Sequence, residues 1–445
     1  MMRLSSLLVV AIFCSVGVNR GLAHSYGPPP GVTGAPGDSA RACTLCHAGT
    51  LNSGAGSVKI LLQSGPVYIP GVKQRVTVQV TDPAQQRWGF ELTARLNSDL
   101  QKVQAGDFTA IDNLTQVICQ DTGPKPCSTG PSFIEHTSAG TRNGTKGGAA
   151  FQFDWTPPAS DVGPVTFYVA GNAANGNGSS SGDFIYTSNV QLNPVNPVPP
   201  AITAGNIVSA ATSAAGPVAP NSWATVYGSD LGVTTRAWTD ADFINGGLPV
   251  SLDGVGVILS FFGAPRLAYV GYVSPTQVNF LIPGDVSPGT VLVQVKNPAG
   301  ITTQVPITVQ ANAPQLLSVD GKYVSATHST GTLVGKSGLL GSAGIATTPA
   351  TPGETIVLYG TGLGPTNPAL IAGQMPIQPV NLSTLPQVKV GGTDATVASA
   401  TVLPDAPGIY QIKVQVPPNA PNGDQPVVIQ VGGVSSASTL ITIQK

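Results

Sequence analysis

Charged residues are scarce in this chain. Asp, Glu, Lys and Arg make up 9% of its 445 residues, whereas about 25% is usual. The formal net charge of −1 supplies no long-range field that would attract nucleic acid or an anionic membrane surface. Hydrophobic residues reach 41%, so the chain can bury a core and is not of disordered composition. We therefore expect a folded protein with no nucleic-acid partner.

Long apolar runs are also missing after the first residues of the chain. A membrane-spanning helix needs roughly 18 or more consecutive apolar residues, and no later run reaches that length. Residues 1–23 contain an early Arg3, an apolar run over 7–18 and small residues ending at Ala23. This pattern is typical of a signal peptide. We expect cleavage after Ala23 and an exported mature chain, extracellular, periplasmic or at the cell surface, with no membrane span.

Familiar catalytic motifs are absent from the sequence. It contains no G-x-S-x-G, no H-E-x-x-H and no phosphate-binding loop, which are the patterns of common hydrolases, metalloproteases and nucleotide-binding enzymes. Its 21 acidic residues are scattered, so no acid–base pair can be selected. The sequence leaves enzymatic activity undecided but favours a non-catalytic protein, and we select no catalytic residue.

Cysteine is rare, and its placement is informative. Of the five cysteines, Cys14 lies in the predicted signal peptide. Cys119 and Cys127 flank the turn-rich segment "QDTGPKP", and disulfides are stable in exported proteins. We predict that Cys119 and Cys127 pair with each other. Cys43 and Cys46 then remain for a separate role.

Cys43 and Cys46 begin the motif "CTLCH", which ends at His47. C-x-x-C-H is the attachment pattern of c-type haem, in which two cysteines form thioethers and the histidine becomes an axial ligand of the iron. The motif therefore predicts haem c bound by Cys43, Cys46 and His47. Two other interpretations remain open, a Cys43–Cys46 disulfide beside an incidental histidine and, less favoured, another metal site.

A second axial ligand must come from elsewhere in the chain. The favoured candidate is His136, in "FIEHTSAGT", which would bind the haem iron together with His47. His24, Met375 and an open coordination position are the alternatives. If His24 were the processed N-terminus, His24 and His136 could instead form a copper brace, which would leave C-x-x-C-H unexplained.

One loop lies between two predicted strands and is rich in Asn, Gly and Ser. "GNAANGNGSSSGD" spans 171–183 and has the composition of a flexible polar turn. It could alternatively form the lip of a cofactor or ligand site, with Asp183 orienting the bound group.

Short alternating segments predict strands rather than helices. "QRVTVQVT" (74–81) alternates polar and β-branched residues, and "FQFDW" places Phe151, Phe153 and Trp155 on one face. Turn-forming residues separate at least six such segments before residue 191, which is typical of a β-sandwich. "LNPVNPVPPAI" (192–202) is proline-rich and predicts a stiff linker.

The region after the linker contains an internal repeat. "APNSWATVYGSDLGVTT" (219–235) matches "TPGETIVLYGTGLGPTN" (351–367), with Tyr-Gly and Leu-Gly pairs at equivalent positions. "TQVNFLIPGDVSPGTVLVQV" (276–295) likewise matches 410–431. A repeat of this kind predicts two homologous β-sandwich modules.

Several stretches before the linker resemble bacterial Reeler-like exported proteins, the reelin-domain or choice-of-anchor V type. The resemblance rests on residues 27–60, "RWGFELTAR", "IEHTSAG", "FDWTPP", "GPVTFYVAGNAANGNG" and "SGDFIY". It implies an Ig-like β-sandwich and places C-x-x-C-H and the later E-H-T in one pattern. This implication strengthens His136 as the second ligand.

The region after the linker resembles a C-terminal domain found in exported proteins of Solibacter-type acidobacteria. The stretches "VSPTQVNFLIP", "LYGTGLGP" and "GIYQIKVQVP" carry this resemblance, which implies paired Ig/TIG-like modules. The predicted fold is thus all-β, with tandem Ig-like β-sandwiches. The predicted organisation is a signal peptide (1–23), a Reeler-like sandwich with the C-x-x-C-H segment (24–191), a linker (192–202) and two Ig/TIG-like modules (203–311 and 312–445).

Two functions remain open at the level of sequence. The first is a non-catalytic cell-surface protein that binds one c-type haem for electron transfer or redox sensing, with a redox partner protein. The alternative is an adhesion, matrix-binding or carbohydrate-binding surface protein in which Cys43 and Cys46 form a structural disulfide.

Overall fold

The structure, a computed structural model, describes residues 24–123, 126–127 and 130–445. These residues are organised in β-strands, with short 3₁₀ helices and no α-helix among them. The predicted all-β fold is confirmed. The predicted signal peptide, 1–23, lies outside the described residues. Within the described ranges, no helix has the length and apolar character that crossing a membrane requires.

The 3₁₀ helices are Ala42–Leu45, Ala139–Thr141, Asp240–Asp242 and Gly341–Ala343. The strands between residues 57 and 194 are β1 (Ser57–Leu62), β2 (Val67–Tyr68), β3 (Gln74–Asp82), β4 (Arg87–Leu96), β5 (Asp99–Gln104), β6 (Asp107–Ala110), β7 (Thr115–Cys119), β8 (Ser132–His136), β9 (Gly147–Thr156), β10 (Val165–Ala174) and β11 (Phe184–Pro194).

The strands between residues 201 and 309 are β12 (Ala201–Ser209), β13 (Trp223–Ser229), β14 (Arg236–Ala237), β15 (Ser251–Leu252), β16 (Val255–Phe261), β17 (Ala264–Leu267), β18 (Tyr269–Val273), β19 (Gln277–Leu281), β20 (Gly289–Asn297), β21 (Gly300–Ile301) and β22 (Val305–Val309). The remaining strands are β23 (Gln315–Leu316), β24 (Ala326–His328), β25 (Leu333–Val334), β26 (Thr347–Thr348), β27 (Thr355–Thr361), β28 (Thr366–Asn367), β29 (Val380–Leu382), β30 (Gln387–Val390), β31 (Thr393–Val402), β32 (Tyr410–Gln415), β33 (Gly423–Val431), β34 (Val434–Ser435) and β35 (Thr439–Ile443).

The chain forms two compact units. In the described part, the first runs to Leu62 and also includes Val76–Pro158 and Val162–Asn193. The second comprises Gln63–Arg75, Ala159–Asp161 and Pro194–Lys445. The finer division of the sequence into 24–191, 192–202, 203–311 and 312–445 stays a prediction.

The first unit is a sandwich of two sheets. One sheet has the order β1-β3-β9-β6, and the other includes β11-β10-β4-β8-β7. Aromatic rings from the two sheets pack against each other. The ring centroids of Phe90 on β4 and Phe151 on β9 are 4.6 Å apart, and those of Trp155 on β9 and Phe167 on β10 are 4.8 Å apart. As the alternation predicts, Phe151, Phe153 and Trp155 are all fully buried. Burial of such large rings is the main source of stability of this unit.

The second unit contains two large hydrophobic clusters and a smaller one around Leu248. Of the two large clusters, one draws its buried residues from 202–309 and the other from 316–443. The first cluster lies with a five-stranded sheet, β12-β13-β19-β18-β14, and a sheet containing β15-β16-β20-β21. The second lies with the sheet that contains β27-β32-β31-β30-β33. The repeated sequence pattern thus corresponds to two cores within one compact unit.

An ionisable pair in the second unit gives a pH-dependent prediction. Glu354 accepts a hydrogen bond from the Thr351 N–H at 2.9 Å and forms an ion pair with His328. Burial opposes ionisation of Glu354, but these partners outweigh it and lower its pKa. A carboxyl group whose pKa is lowered by folding stabilises the folded state at pH values above its pKa in the unfolded chain, which is near 4.5. This contribution is lost as the pH falls through the pKa of the folded state.

We therefore expect Glu354→Gln to reduce the free energy of unfolding at pH 7 by about 1 kcal/mol. The difference from the wild type should shrink as the pH falls below 4.5. Chemical denaturation at pH 7 and pH 3.5 measures both values. The control is Asp394→Asn, since Asp394 forms an exposed ion pair with Lys389. This variant should have the wild-type free energy of unfolding at both pH values. A deficit of equal size at both pH values would contradict the interpretation.

Candidate functional site

The segment 24–56 covers one face of strand β4. Trp88, Phe90 and Leu92 alternate along β4, and Phe90 contacts the rings of the sandwich core. Glu91 and Arg95 occupy the other face, yet both are completely buried. They are buried because segment 24–56 packs over them, as its hydrogen bonds show.

Two buried charged side chains anchor this segment to β4. The Glu91 carboxyl accepts hydrogen bonds from the backbone N–H groups of Gly31, at 3.1 Å, and Val32, at 2.6 Å. Burial raises the pKa of Glu91 well above its usual value. Arg95 donates to the Asp38 carboxylate at 2.6 Å, and both side chains are almost inaccessible to solvent.

The C-x-x-C-H motif forms a tight turn on this anchored segment. The 3₁₀ helix Ala42–Leu45 carries Cys43, whose carbonyl oxygen accepts from the N–H groups of Cys46, at 3.2 Å, and His47, at 3.1 Å. Cys43 is buried, and burial raises the pKa of its thiol. Cys43 and Cys46 are free cysteines. The turn therefore presents two thiols and one imidazole close together.

The imidazole of His47 is held by two side chains from the sheet. Its Nδ1 lies 2.7 Å from Oδ2 of Asp183, and its Nε2 lies 3.1 Å from Nδ2 of Asn172. The carboxylate fixes the proton on Nδ1, so the Nε2 lone pair accepts from the amide. Asp183 is itself fixed, since it also accepts from the Asn175 N–H. This carboxylate–histidine arrangement is the one that orients ligating histidines in metal sites.

His136 is the last residue of β8 and lies against β4. Its Nδ1 is within hydrogen-bond distance of both the N–H, at 3.1 Å, and the carbonyl oxygen, at 3.2 Å, of Phe90. Burial lowers the pKa of His136 to about 4. The ring is therefore neutral at pH 7, the state in which imidazole binds metals.

Both histidines line one pocket in the first unit. The pocket has a cavity volume of ≈ 110 Å³, smaller than the roughly 300–1,000 Å³ of sites for drug-sized ligands. Three of the four histidines of the chain line it. The lining consists of His24, Ser25, Pro28, Pro29, Val32, Cys43, Leu45, Cys46, His47, Arg87, Trp88, Gly89, Phe90, His136, Thr141, Asn172, Ala174, Gly176, Gly178, Ser179 and Asp183.

The structure thus places Cys43, Cys46, His47 and His136 at the same pocket. His24 also lines it and lies 2.8 Å from the hydroxyl of Tyr26. Met375 packs in the second unit, beside a cluster with Leu248. Among the described residues, no group of three or more His, Cys, Asp or Glu side chains could bind a metal ion together.

The predicted disulfide between Cys119 and Cys127 is present, with a Cα–Cα distance of 5.3 Å. Loop 171–183 contributes Gly176, Gly178 and Asp183 to the pocket lining. Asp183 contacts the His47 imidazole, and the interpretation of the loop as a lip over a bound group stays a prediction.

Sequence reasoning missed the residues of β4 that build the pocket. The stretch "RWGFELTAR" contributes to the family resemblance, but its sequence does not identify the polar face of the strand as part of a site. Gly89 on that face lies against His136, because a Cβ added there would be 2.7 Å from Cε1 of the imidazole. The sequence carries no signal for this, since a strand with Gly89, Glu91 and Arg95 on one face and apolar residues on the other has the pattern of an ordinary strand with one solvated face.

This close approach predicts the effect of a single methyl group. Gly89→Ala is expected to displace the His136 ring and to destabilise the first unit by about 1–3 kcal/mol, the usual cost of overpacking. Gly216→Ala is the matched control, because nothing lies within 4 Å of the added Cβ. Chemical denaturation of both variants measures the difference. Equal stability of the two variants would show that His136 does not depend on Gly89.

No model of a known protein family matches the chain, and no curated protein matches it. Similar solved structures include the Reelin-N domain of F-spondin, which is 21% identical and covers 35% of this chain and 97% of its own, with a TM-score of 0.24. Another is SGBP-B of the Bacteroides ovatus mixed-linkage glucan utilization locus, solved with a heptasaccharide. Its sequence is 11% identical to this chain, and the match covers 89% of this chain and 69% of the SGBP-B chain, with a TM-score of 0.25.

A cohesin module from a Clostridium perfringens family 33 glycoside hydrolase is 9% identical. It covers 32% of this chain and 99% of its own, with a TM-score of 0.24. Likenesses at these TM-scores carry no argument about function. The functional conclusion therefore depends on the pocket itself.

Proposed function

We propose that the first unit binds one c-type haem, attached through Cys43 and Cys46 and ligated by His47 and His136. The observation that carries this proposal is that both thiols and both imidazoles line one pocket, although His136 lies 89 positions after His47. Haem attached at C-x-x-C-H needs a partly apolar cavity beside the motif. Val32, Trp88 and Phe90 supply apolar walls of that cavity.

The side chains present are chemically suited to this cofactor. Bound haem would supply a one-electron redox centre. Asp183 holds the Nδ1 proton of His47, which leaves the Nε2 lone pair for a metal once the Asn172 amide moves aside. His136 is neutral at pH 7, and its Nδ1 either accepts from the Phe90 N–H or, in the tautomer that leaves Nε2 free for a metal, donates to the Phe90 carbonyl. Both rings can then act as Nε2 ligands with fixed orientation.

Two histidine ligands favour electron transfer over the binding of small gases or peroxide. If His47 and His136 both held the iron, the haem would supply one-electron transfer rather than a binding position for a substrate. We therefore propose that the protein acts as an exported electron-transfer or redox-sensing protein that exchanges electrons with a partner protein. Segment 24–56 contributes the motif, and strands β4 and β8 contribute the opposite ligand and much of the pocket.

Expression with a cytochrome c maturation system tests this function. We expect a coloured protein whose haem stays attached in a denaturing gel and whose absorption spectrum shows a Soret band. His47→Ala should abolish or strongly shift that band, because the proximal ligand is lost. A colourless wild-type protein with an intact Cys43–Cys46 disulfide in mass spectrometry would refute the proposal.

His328→Ala is the matched control for the histidine substitution. His328 lies in the second unit, where it pairs with Glu354, and does not line the pocket. The absorption spectrum of this variant should equal that of the wild type.

The alternative function is an adhesion, matrix-binding or carbohydrate-binding surface protein in which Cys43 and Cys46 form a structural disulfide. SGBP-B was solved with a bound heptasaccharide, but its low TM-score transfers nothing to this chain. A groove in the second unit supplies a specific observation for the binding of a surface ligand, which does not depend on whether Cys43 and Cys46 form a disulfide or attach haem.

A further inference from the structure

A shallow groove in the second unit has a lining of unusual chemistry. Its volume is ≈ 410 Å³, and none of the described residues that line it is charged. The lining consists of Ala210, Ala211, Trp223, Ala237, Trp238, Gly271, Tyr272, Asn279, Leu317, Thr361 and Ile409. A groove with aromatic rings and amide and hydroxyl groups but without charges suits an uncharged, hydroxyl-rich ligand.

Sheet register places the polar and aromatic groups of the groove side by side. Tyr272 on β18 is directly opposite Ala237 on β14 and Asn279 on β19. Asn279 is in turn opposite Thr225 on β13. Directly opposed residues project from the same face of a sheet, so this row extends across four adjacent strands.

The aromatic part of the groove is rigid. The Trp223 indole N–H donates to the carbonyl of Pro407 at 2.7 Å, which fixes that ring. Trp238 packs edge-on against Trp223, with ring centroids 5.3 Å apart, and at a tilt against Phe243, with ring centroids 5.2 Å apart. Trp238 itself is only half-buried. A rigid, partly exposed ring loses little conformational freedom when a ligand stacks on it.

Three hydrogen-bonding groups in the groove have no partner among the described residues. Oδ1 of Asn279 accepts from Thr225 and from Gln277, which fixes the amide, while its Nδ2 donates to none of them. The Trp238 indole N–H and the Tyr272 hydroxyl likewise make no hydrogen bond within the described chain. These groups remain available to the hydroxyl groups of a ligand.

We propose that this groove binds a neutral oligosaccharide, through the rings of Trp238 and Tyr272 and the free amide donor of Asn279. Sugar rings present apolar C–H faces that pack on aromatic rings and hydroxyl groups that accept from amides and indoles. The absence of charge in the described lining disfavours acidic polysaccharides, which would gain nothing from it. This inference is independent of haem binding by the first unit.

Titration of the full chain with cellohexaose, maltohexaose and mannohexaose tests the inference, with tryptophan fluorescence and calorimetry as readouts. We expect saturable binding of at least one of these sugars and none of an oligogalacturonate. Tyr272→Ala and Trp238→Ala should each weaken binding by about tenfold or more, the effect of losing a central aromatic contact.

Two further variants separate loss of binding from loss of fold. Tyr272→Phe removes only the hydroxyl and should weaken binding less than Tyr272→Ala. Phe262→Ala removes a ring that is 89% exposed and outside the groove, and it should bind like the wild type. Absence of binding to all three neutral sugars would overturn the inference. Binding that survives both Trp238→Ala and Tyr272→Ala unchanged would overturn it as well.

Discussion

Cys43→Ala/Cys46→Ala is expected to eliminate covalently attached haem completely. Thioether bonds to these two thiols are the only covalent link that a C-x-x-C-H site makes to the porphyrin. The effect is all-or-none in a denaturing gel stained for haem, after expression with the maturation system. Single substitutions should retain at most one thioether and yield less coloured protein.

Cys119→Ala/Cys127→Ala is the matched control for this double variant. It removes the disulfide of the same unit and is expected to cost about 2–3 kcal/mol of stability. Haem should stay attached to whatever fraction of this variant folds. If the Cys43→Ala/Cys46→Ala protein still carried haem through denaturation, attachment at C-x-x-C-H would be disproved.

Loss of the Asp38 carboxylate is expected to lower the free energy of unfolding strongly, and this is the second large effect that we predict. Arg95 is fully buried and donates to the Asp38 carboxylate at 2.6 Å and to the Gln101 carbonyl oxygen at 3.3 Å. Asp38→Ala leaves the guanidinium buried without its counter-charge, which typically costs about 3–5 kcal/mol. It also releases segment 24–56 from β4, so the pocket should loosen. Chemical denaturation measures the loss.

A second variant separates this mechanism from general damage. Asp38→Ala/Arg95→Met removes the charge along with its partner and should recover most of the lost stability, since apolar replacement of a buried ion pair is often neutral. A destabilisation by Asp38→Ala below about 1 kcal/mol would contradict the account. So would a double variant that is as unstable as the single one.

Local sequence patterns were sufficient to predict the all-β fold and the part of the candidate site that the C-x-x-C-H motif forms. Alternation placed Phe151, Phe153 and Trp155 on one buried face, because that periodicity follows directly from strand geometry. Cys119 and Cys127 could be paired because so few cysteines were available. The C-x-x-C-H motif is likewise local, since one 3₁₀ turn brings its groups together.

The rest of the site depends on contacts between distant parts of the chain. His136 lies at the pocket because β8 pairs with β4 in a register that sets Glu91 opposite Glu135. Sequence patterns specify which face of a strand is apolar but not which distant strand pairs with it. The resemblance to Reeler-like proteins favoured His136, but the close packing on Gly89 became visible only in the folded chain.

The Asp38–Arg95 anchor was missed for a similar reason. Both residues read as ordinary surface charges in a Gly- and Pro-rich segment and at the end of a strand. Their burial follows from the packing of segment 24–56 on the polar face of β4. No periodicity in that segment indicates this packing, because it contains no regular strand.

Axial ligation of the haem-loaded protein tests the central claim most directly. Magnetic circular dichroism in the near infrared, with low-temperature electron paramagnetic resonance of the ferric protein, distinguishes two histidine ligands from one. Our account predicts a low-spin, bis-histidine signature in the wild type and its loss in His136→Ala, with haem still covalently attached. His24→Ala should keep the wild-type signature. A bis-histidine signature that persists in His136→Ala, or a wild type with a single histidine ligand, would contradict the account.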